Sequence, residues 1–422
     1  MVLDARARTE VSRLTASVLA VKPLVEGGAT PIRVVRPAGV PEELWPRLDR
    51  LLGRVARHAG VTGLVPAGDV ALADLQVFER VVSDRLALAG LADACLALPD
   101  DLPPEVDEVV VAAVADGFDA FFGKDVITAA DGVPLNVFAA GPDREAVVLI
   151  PACGMPAALT ESWMRHMAGD RRLLAWESRG MFGAGGRHEG HAVDVAAQAA
   201  DLFAVMDHYG VATAHVVGLC GGAVIALAAA AGQPDRISSL SLWHGAYTIG
   251  TDGPRTRHQH DLIELMALAA HSRTAARSVQ TAFCHLTLTS TPAELAHLVL
   301  YPFASPDLFF RYCRLNGRLA TTDVEPYLPR VRQPVLVVTS EDDHTAHPQG
   351  SRRVADGLPN ARLRIEPHGD HASLFRANAA LMQVAVDFMD EVPARPGGPG
   401  RDVLVSRDST VIPALDSVGE RP

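Results

Sequence analysis

The sequence predicts an α/β protein in which a mostly parallel central sheet is flanked by helices, broken by a helical cap insertion and preceded by a helical N-terminal extension. Three observations lead there. From Asp125 onward, short β-branched runs alternate with helix-like runs, a rhythm that implies a parallel sheet covered on both faces. The rhythm stops after His244 and resumes with "QPVLVVTSEDD". Ahead of it, apolar residues recur at helical spacing.

Residues 1–118 read as a helical region. Its clearest segments, "VPEELWPRLDRLLGRVARHAG" and "LADLQVFERVVSDRLALAGLADACLAL", each end at Gly or Pro. Asp4 and Glu10 stand among the first arginines and Lys22 interrupts "LTASVLAV", so no secretory signal is expected. Residues 119–249 form the first part of the core. They open with "DVITAADGVPLNVFAAGPD", a hairpin turning at Asp131 and Gly132. "AVVLIPA", a helix near 159–168, "RLLAWES", a helix near 192–209, "AHVVGL", the helix after Cys220 and "ISSLSLWH" complete that part. Residues 250–329 are the cap insertion, rich in His, Leu and aromatics. The second part of the core, 330–392, adds a strand, a helix near 349–358, "ARLRIEPHGDH" and a last amphipathic helix near 377–392. The Pro/Gly-rich stretch 393–422 is expected to be a mobile tail.

Composition narrows the function classes. The 422 residues carry a formal charge of −12, which argues against a nucleic-acid binder because phosphate attraction needs a basic surface. Five scattered cysteines, Cys95, Cys153, Cys220, Cys284 and Cys313, form neither a disulfide framework nor a zinc set and read as reduced thiols of a cytoplasmic protein. Ala214–Gly232 approaches the length of a membrane span, but glycines at a strand-to-helix junction read it as a buried strand, a turn and a buried helix. No membrane association is expected. None of the histidines shows a metal-ligand spacing such as H-E-x-x-H, so no metal is expected.

The chemistry concentrates at "VVGLCGGAVIAL". G-x-C-x-G between a strand and an alanine-rich helix is a nucleophile-elbow pattern with cysteine in place of the usual serine. The flanking glycines let the strand and helix approach, and the helix start exposes the Cys220 sulfur to a positive dipole end, an arrangement that lowers a thiol pKa. A base and its orienting acid follow in the order nucleophile, acid, histidine. Asp343 is preferred to Asp342, and His371 to His368, with either neighbour left open. Backbone donors for an oxyanion are expected from Gly221 and, by alignment of "IPACGMPA" with H-G-aromatic-P, from Met155. Cys153 stands where that pattern has histidine. Cys153, Trp243, His244 and Tyr247 are expected at the substrate pocket, and Cys284 and Cys313 in the packing of the insertion.

An acyl-cysteine keeps its acyl group activated for a second thiol, which favours acyl transfer over release to water. The region from about Val126 to Asp390 resembles the α/β-hydrolase superfamily. "LIPACGMP", "LAWESRG" and "VVGLCGGA" are similar to the cysteine-dependent carrier-protein aminoacyltransferases of syringomycin and coronatine biosynthesis, Trp176, Glu177, Ser178 and Arg179 matching a W-E-[ST]-R form. The resemblance implies that Cys220 accepts the acyl group, with His371 as base and Asp343 as its orienter. It further implies acyl or peptidyl carrier proteins as partners, with phosphopantetheine brought by the partner and no cofactor bound. Arg255 with Arg257, Arg311 with Arg314 and Arg318, and Arg352 with Arg353 are candidate carrier-facing patches. Competing expectations are a thioesterase or hydrolase with the same triad, and a non-catalytic binding protein that kept the sheet.

Overall fold

The computed structural model describes residues 3–37, 40–67, 74–92, 102–182 and 190–392. Cys95 and the expected tail 393–422 lie outside the described residues.

The N-terminal extension starts with a helix that lies ahead of the segments with the clearest patterning. Helix α1 (Ala5–Gly27) is capped by Asp4, whose carboxylate accepts from the Ala7 N–H at 2.7 Å. Val11, Leu14, Val18, Val21 and Leu24 repeat at three- and four-residue intervals and are fully buried, so the apolar stretch near the N-terminus is a core-facing stripe. It is followed by β1 (Ile32–Val34), α2 (Trp45–His58), β2 (Leu64–Pro66), α3 (Val77–Leu86) and α4 (Glu105–Ala115). β1 and β2 pair in parallel, an element absent from the sequence reading because three-residue strands carry no measurable alternation.

The main sheet contains β3 (Asp125–Thr128), β4 (Pro134–Ala140), β5 (Ala146–Ile150), β6 (Arg172–Trp176), β7 (Ala214–Leu219), β8 (Ile237–Trp243), β9 (Val335–Ser340) and β10 (Ala361–Glu366). Their order is β10-β9-β8-β7-β5-β6-β4-β3. β4 runs antiparallel to both β3 and β6, and the other pairs are parallel. The connecting helices are α5 (Glu161–Ala168), α6 (Val195–His208) and α7 (Gly222–Gly232), then α8 (Arg257–His271), α9 (Arg273–Thr289) and α10 (Pro306–Ala320) in the cap, then α11 (Pro348–Gly357) and α12 (Ala379–Asp390).

Strands β5, β7, β8 and β9 are buried along their whole length, as expected of a parallel sheet with helices on both faces. Side chains alternate between two cores. Val147, Leu149, Val217, Leu219 and Trp243 pack with Trp163 of α5 and Met389 of α12. Val148, Ile150, Val216, Leu240 and Leu242 face α6, α7, the cap and the N-terminal helices. That second core runs without a break from α1 through the sheet to α10, and the C-terminal end of α1 sits against Tyr301, Ala304 and Leu308 of the cap. The N-terminal extension therefore braces the cap insertion. Among the described residues, no helix is long and apolar enough to cross a membrane.

Candidate active site

The carboxyl ends of β7, β8 and β9, together with the loop after β10, meet at one point. β7 runs into α7 through Cys220, whose φ of +53° is unusual for a residue with a side chain and stores about 1–3 kcal/mol of strain. The turn survives because its glycines are required: a Cβ on Gly222 would lie 2.4 Å from the Ile150 carbonyl, and one on Gly218 would lie 2.7 Å from the Gly222 carbonyl. The Cys220 N–H donates to the Trp243 carbonyl at 2.9 Å, which ties the corner to the end of β8. Cys220 is half-buried where two apolar clusters meet, one built around Trp163 and Trp243 and the other around Ala152, Leu159 and Leu298.

Of the two Asp–His pairs open in the sequence, the structure buries one and leaves the other in solvent. His368 lies 3.3 Å from Asp342 with 89 % of its side chain exposed. Asp343 is 1 % exposed, and its Oδ2 accepts from His371 Nδ1 at 2.9 Å, while its Oδ1 accepts from the Thr345 and Ala346 N–H groups, each at 2.8 Å. Burial alone would raise the Asp343 pKa, but the charge of His371 and hydrogen bonds from His244 and His371 hold it well below the usual carboxylate range. Burial pulls His371 down, yet the Cys220 sulfur and the Asp343 carboxylate, each by charge and by hydrogen bond, raise it well above its ordinary value. Cys220, His371 and Asp343 thus form one hydrogen-bonded relay.

His244 belongs to this relay and not to the pocket wall. It is 2 % exposed, has φ +47°, and donates from Nδ1 to the same Asp343 Oδ2 at 2.8 Å. The ligand atoms of His244, Asp343 and His371 lie within 4.8 Å of one another, and both Nδ1 atoms are directed at the shared carboxylate oxygen. Trp243 is likewise corrected: it is 0 % exposed, its ring meets Trp163 edge-on at 4.8 Å, and its indole N–H donates to Ser241 Oγ. It supports the corner from below. Cys153 is buried beneath the turn, its thiol donating to Gln198 Oε1 at 3.4 Å, and burial pushes that thiol up to about 12. A thiol held protonated in this way is no competitor to Cys220 as nucleophile. Tyr247 is also buried, with its ring folded onto Gly245.

The loop after β5, where an oxyanion donor is expected, is fixed by the "WESRG" segment. Ser178 Oγ accepts the Gly154 N–H at 2.8 Å, and the buried Glu177 carboxylate accepts the Ala157 N–H at 3.1 Å and the Asn136 side chain at 2.8 Å. Arg179 binds Asp201 through Nε and Nη2 at 2.8 and 2.7 Å, and reaches Asp131 of the β3–β4 hairpin at 2.6 Å. The Gly221 backbone is flanked by Cys153 and by Leu319 of the cap. The Met155 N–H closes a turn on the Ala152 carbonyl at 3.1 Å, so it reaches an oxyanion only by giving up that bond.

The walls around Cys220 come from several elements. Ala152, Leu159 and Leu298 form a small apolar cluster against which Met155, Val299 and Phe375 pack, together with Cys220. Tyr312 of α10 lies over Gly154, and its hydroxyl accepts from Asn316 at 3.0 Å. Burial lowers the pKa of His258 on α8 and the charge of His371 lowers it further, which puts the cap within electrostatic reach of the relay. Cys284 and Cys313 are buried in the cap packing.

The sheet order with its antiparallel second strand, and Cys220, Asp343 and His371 after the fifth, seventh and eighth strands of that sheet, define an α/β-hydrolase fold. This chain has that fold. An esterase, RhEst1 from Rhodococcus sp. ECU1013, superposes with a TM-score of 0.53 at 19% identity over 64% of this chain and 99% of its own. No protein-family model matches the sequence. Among curated proteins, "Putative carbamate hydrolase RutD" of Caulobacter sp. (strain K31) is 29% identical over 252 residues, 58% of this chain and 91% of the relative. "L-allo-isoleucyltransferase" of Pseudomonas savastanoi pv. glycinea is 27% identical over 175 residues, 41% of this chain and 61% of the relative.

Proposed function

We propose that this protein is a cytoplasmic acyltransferase that moves an acyl or aminoacyl group between phosphopantetheine thiols of carrier proteins, as in nonribosomal peptide or polyketide-type biosynthesis, through a thioester on Cys220. The observation that carries the reading is a cysteine at the nucleophile corner, hydrogen-bonded to an imidazole that a buried carboxylate holds. Sγ attacks the carbonyl carbon of the donor thioester, a new C–S bond forms, and the donor C–S bond breaks. The proton held on His371 passes to the departing thiol. A second phosphopantetheine thiol then attacks the acyl-cysteine, gives its proton to His371 and leaves with the acyl group, restoring Cys220.

Thiol-to-thiol exchange is nearly isoenergetic, which suits a shuttle. The apolar walls from Leu159, Leu298, Val299 and Phe375 accommodate an aliphatic acyl side chain, and the similarity to an isoleucyltransferase is in keeping with that. The names of the RutD relatives and the shared fold favour a second reading, a hydrolase in which water takes the place of the acceptor thiol. One assay separates them. A labelled aminoacyl group is loaded on a pantetheinylated carrier, the protein and a second carrier are added, and the label is followed. Label on the second carrier, with an acyl adduct on the intact protein that is lost in Cys220→Ala, supports the shuttle. Free acid as the product supports the hydrolase.

A further inference from the structure

Tyr247 combines features that packing alone does not explain. The residue is 2 % exposed, and its hydroxyl is buried with no hydrogen-bond partner among the described residues. Its ring is pressed against Gly245, where a Cβ would meet the phenol carbon at 2.1 Å and the hydroxyl at 2.4 Å. Gly245 is two residues beyond Trp243, whose carbonyl takes the Cys220 N–H. The hydroxyl therefore lies against the chain segment that leaves β8 beside the Cys220 turn, within electrostatic reach of the Cys220 sulfur. Burial followed by the Cys220 charge keeps the phenol protonated, so it is available both to donate and to accept. It follows β8, whereas the oxyanion loop follows β5 on the other side of β7, so it serves a different part of the substrate from the oxyanion.

A buried polar atom without a partner costs free energy, and phenylalanine would fill the same volume without that cost. We infer that the Tyr247 hydroxyl is a specificity determinant, hydrogen-bonding a polar substituent, N–H or O–H, on the carbon next to the thioester carbonyl of the group bound at Cys220. This inference rests on Cys220 accepting an acyl group, and it names what that acyl group carries. The side-chain end of the substrate meets the apolar wall of Leu159, Leu298 and Phe375, and the α-substituent meets the phenol.

Three thioesters of one small thiol, sharing a branched aliphatic skeleton and bearing an α-amino, an α-hydroxy or no α-substituent, test this. Acylation of the wild type and of Tyr247→Phe is followed by intact mass. The wild type is expected to favour a substituted thioester over the bare one, and Tyr247→Phe to reduce that preference about tenfold, the net worth of one neutral hydrogen bond. The α-amino and α-hydroxy arms show which atom is read. The melting temperature of Tyr247→Phe is expected to equal or exceed that of the wild type, because the substitution removes an unpaired hydroxyl. An unmoved preference, or a lower melting temperature that reveals a partner inside the protein, overturns the assignment while leaving the shuttle intact. A wild-type protein that forms no adduct with any of the three sinks both.

Discussion

His244 and His371 share one acceptor: the Nδ1 atoms of both reach Asp343 Oδ2, at 2.8 and 2.9 Å. A carboxylate that also takes two backbone N–H groups on its other oxygen is fully coordinated and has no freedom to turn. His244 is therefore expected to act by holding Asp343, not by touching a substrate. In His244→Ala the carboxylate loses one of four donors, and acylation of Cys220 is expected to slow about 10–100-fold, the cost of about 1.4–2.7 kcal/mol in transition-state energy. His244→Asn, which can still donate, is expected to recover part of the loss. Equal rates for wild type and His244→Ala in single-turnover acylation contradict the role.

Most of the main sheet was legible because its strands are long and β-branched, and the nucleophile corner because its glycines are forced by backbone approach. The second histidine was not. Nothing in "SLWHGAY" separates a residue that faces a pocket from one that turns back to hydrogen-bond a carboxylate 99 positions away. That distinction lies in the positive φ of His244, a property no periodicity reports. The same applies to Trp243, whose place at the end of a buried strand already aimed it at the core. Helix α1 was read only for export, although its stripe of Val11, Leu14, Val18, Val21 and Leu24 carries a helical period.

The raised pKa of His371 makes stability depend on pH in a stated direction. A histidine whose folded value exceeds the unfolded value of about 6.5 contributes fully below that value and loses its contribution as pH rises through the folded one. The melting-temperature gap between wild type and His371→Gln is therefore expected to be widest near pH 6 and to close on the alkaline side. Asp343 behaves oppositely: its folded value is depressed, so its contribution is complete above about pH 4 and disappears only on strong acidification. Differential scanning across pH 3–10 resolves the His371 limb and the onset of the Asp343 one. A gap that widens toward alkaline pH contradicts the imidazolium assignment.

Ser178 holds the Gly154 N–H and so sets the shape of the loop after β5, where the oxyanion donor is expected. Ser178→Ala frees that N–H and is expected to lower kcat for transfer about 3–10-fold, because oxyanion stabilisation depends on donors held in place before reaction. Alkylation of Cys220 by iodoacetamide, a reaction with no oxyanion, is expected to keep its wild-type rate. A parallel fall in both rates points to damage at the nucleophile corner instead.

Of the arginines expected to face a carrier protein, Arg311 is already committed. Its guanidinium donates to the Gly180 carbonyl at 2.5 Å and lies 3.1 Å from Asp307, joining α10 to the loop after β6. Arg318 is exposed, and Arg314 lies over Phe310 at 5.7 Å. The two roles separate by salt. Arg311→Ala is expected to lower stability by about 1–3 kcal/mol, since it strips a charge-assisted bond from a half-buried carbonyl, and this loss persists at high ionic strength. Arg314→Glu with Arg318→Glu is expected to leave the melting temperature within a degree or two and to slow transfer from an acidic carrier several-fold at low salt. At about 0.5 M salt, where the Debye length is shorter than a side chain, the double variant and the wild type converge. Transfer kinetics that differ by the same factor at both salt concentrations exclude this face of α10 as the carrier-steering surface.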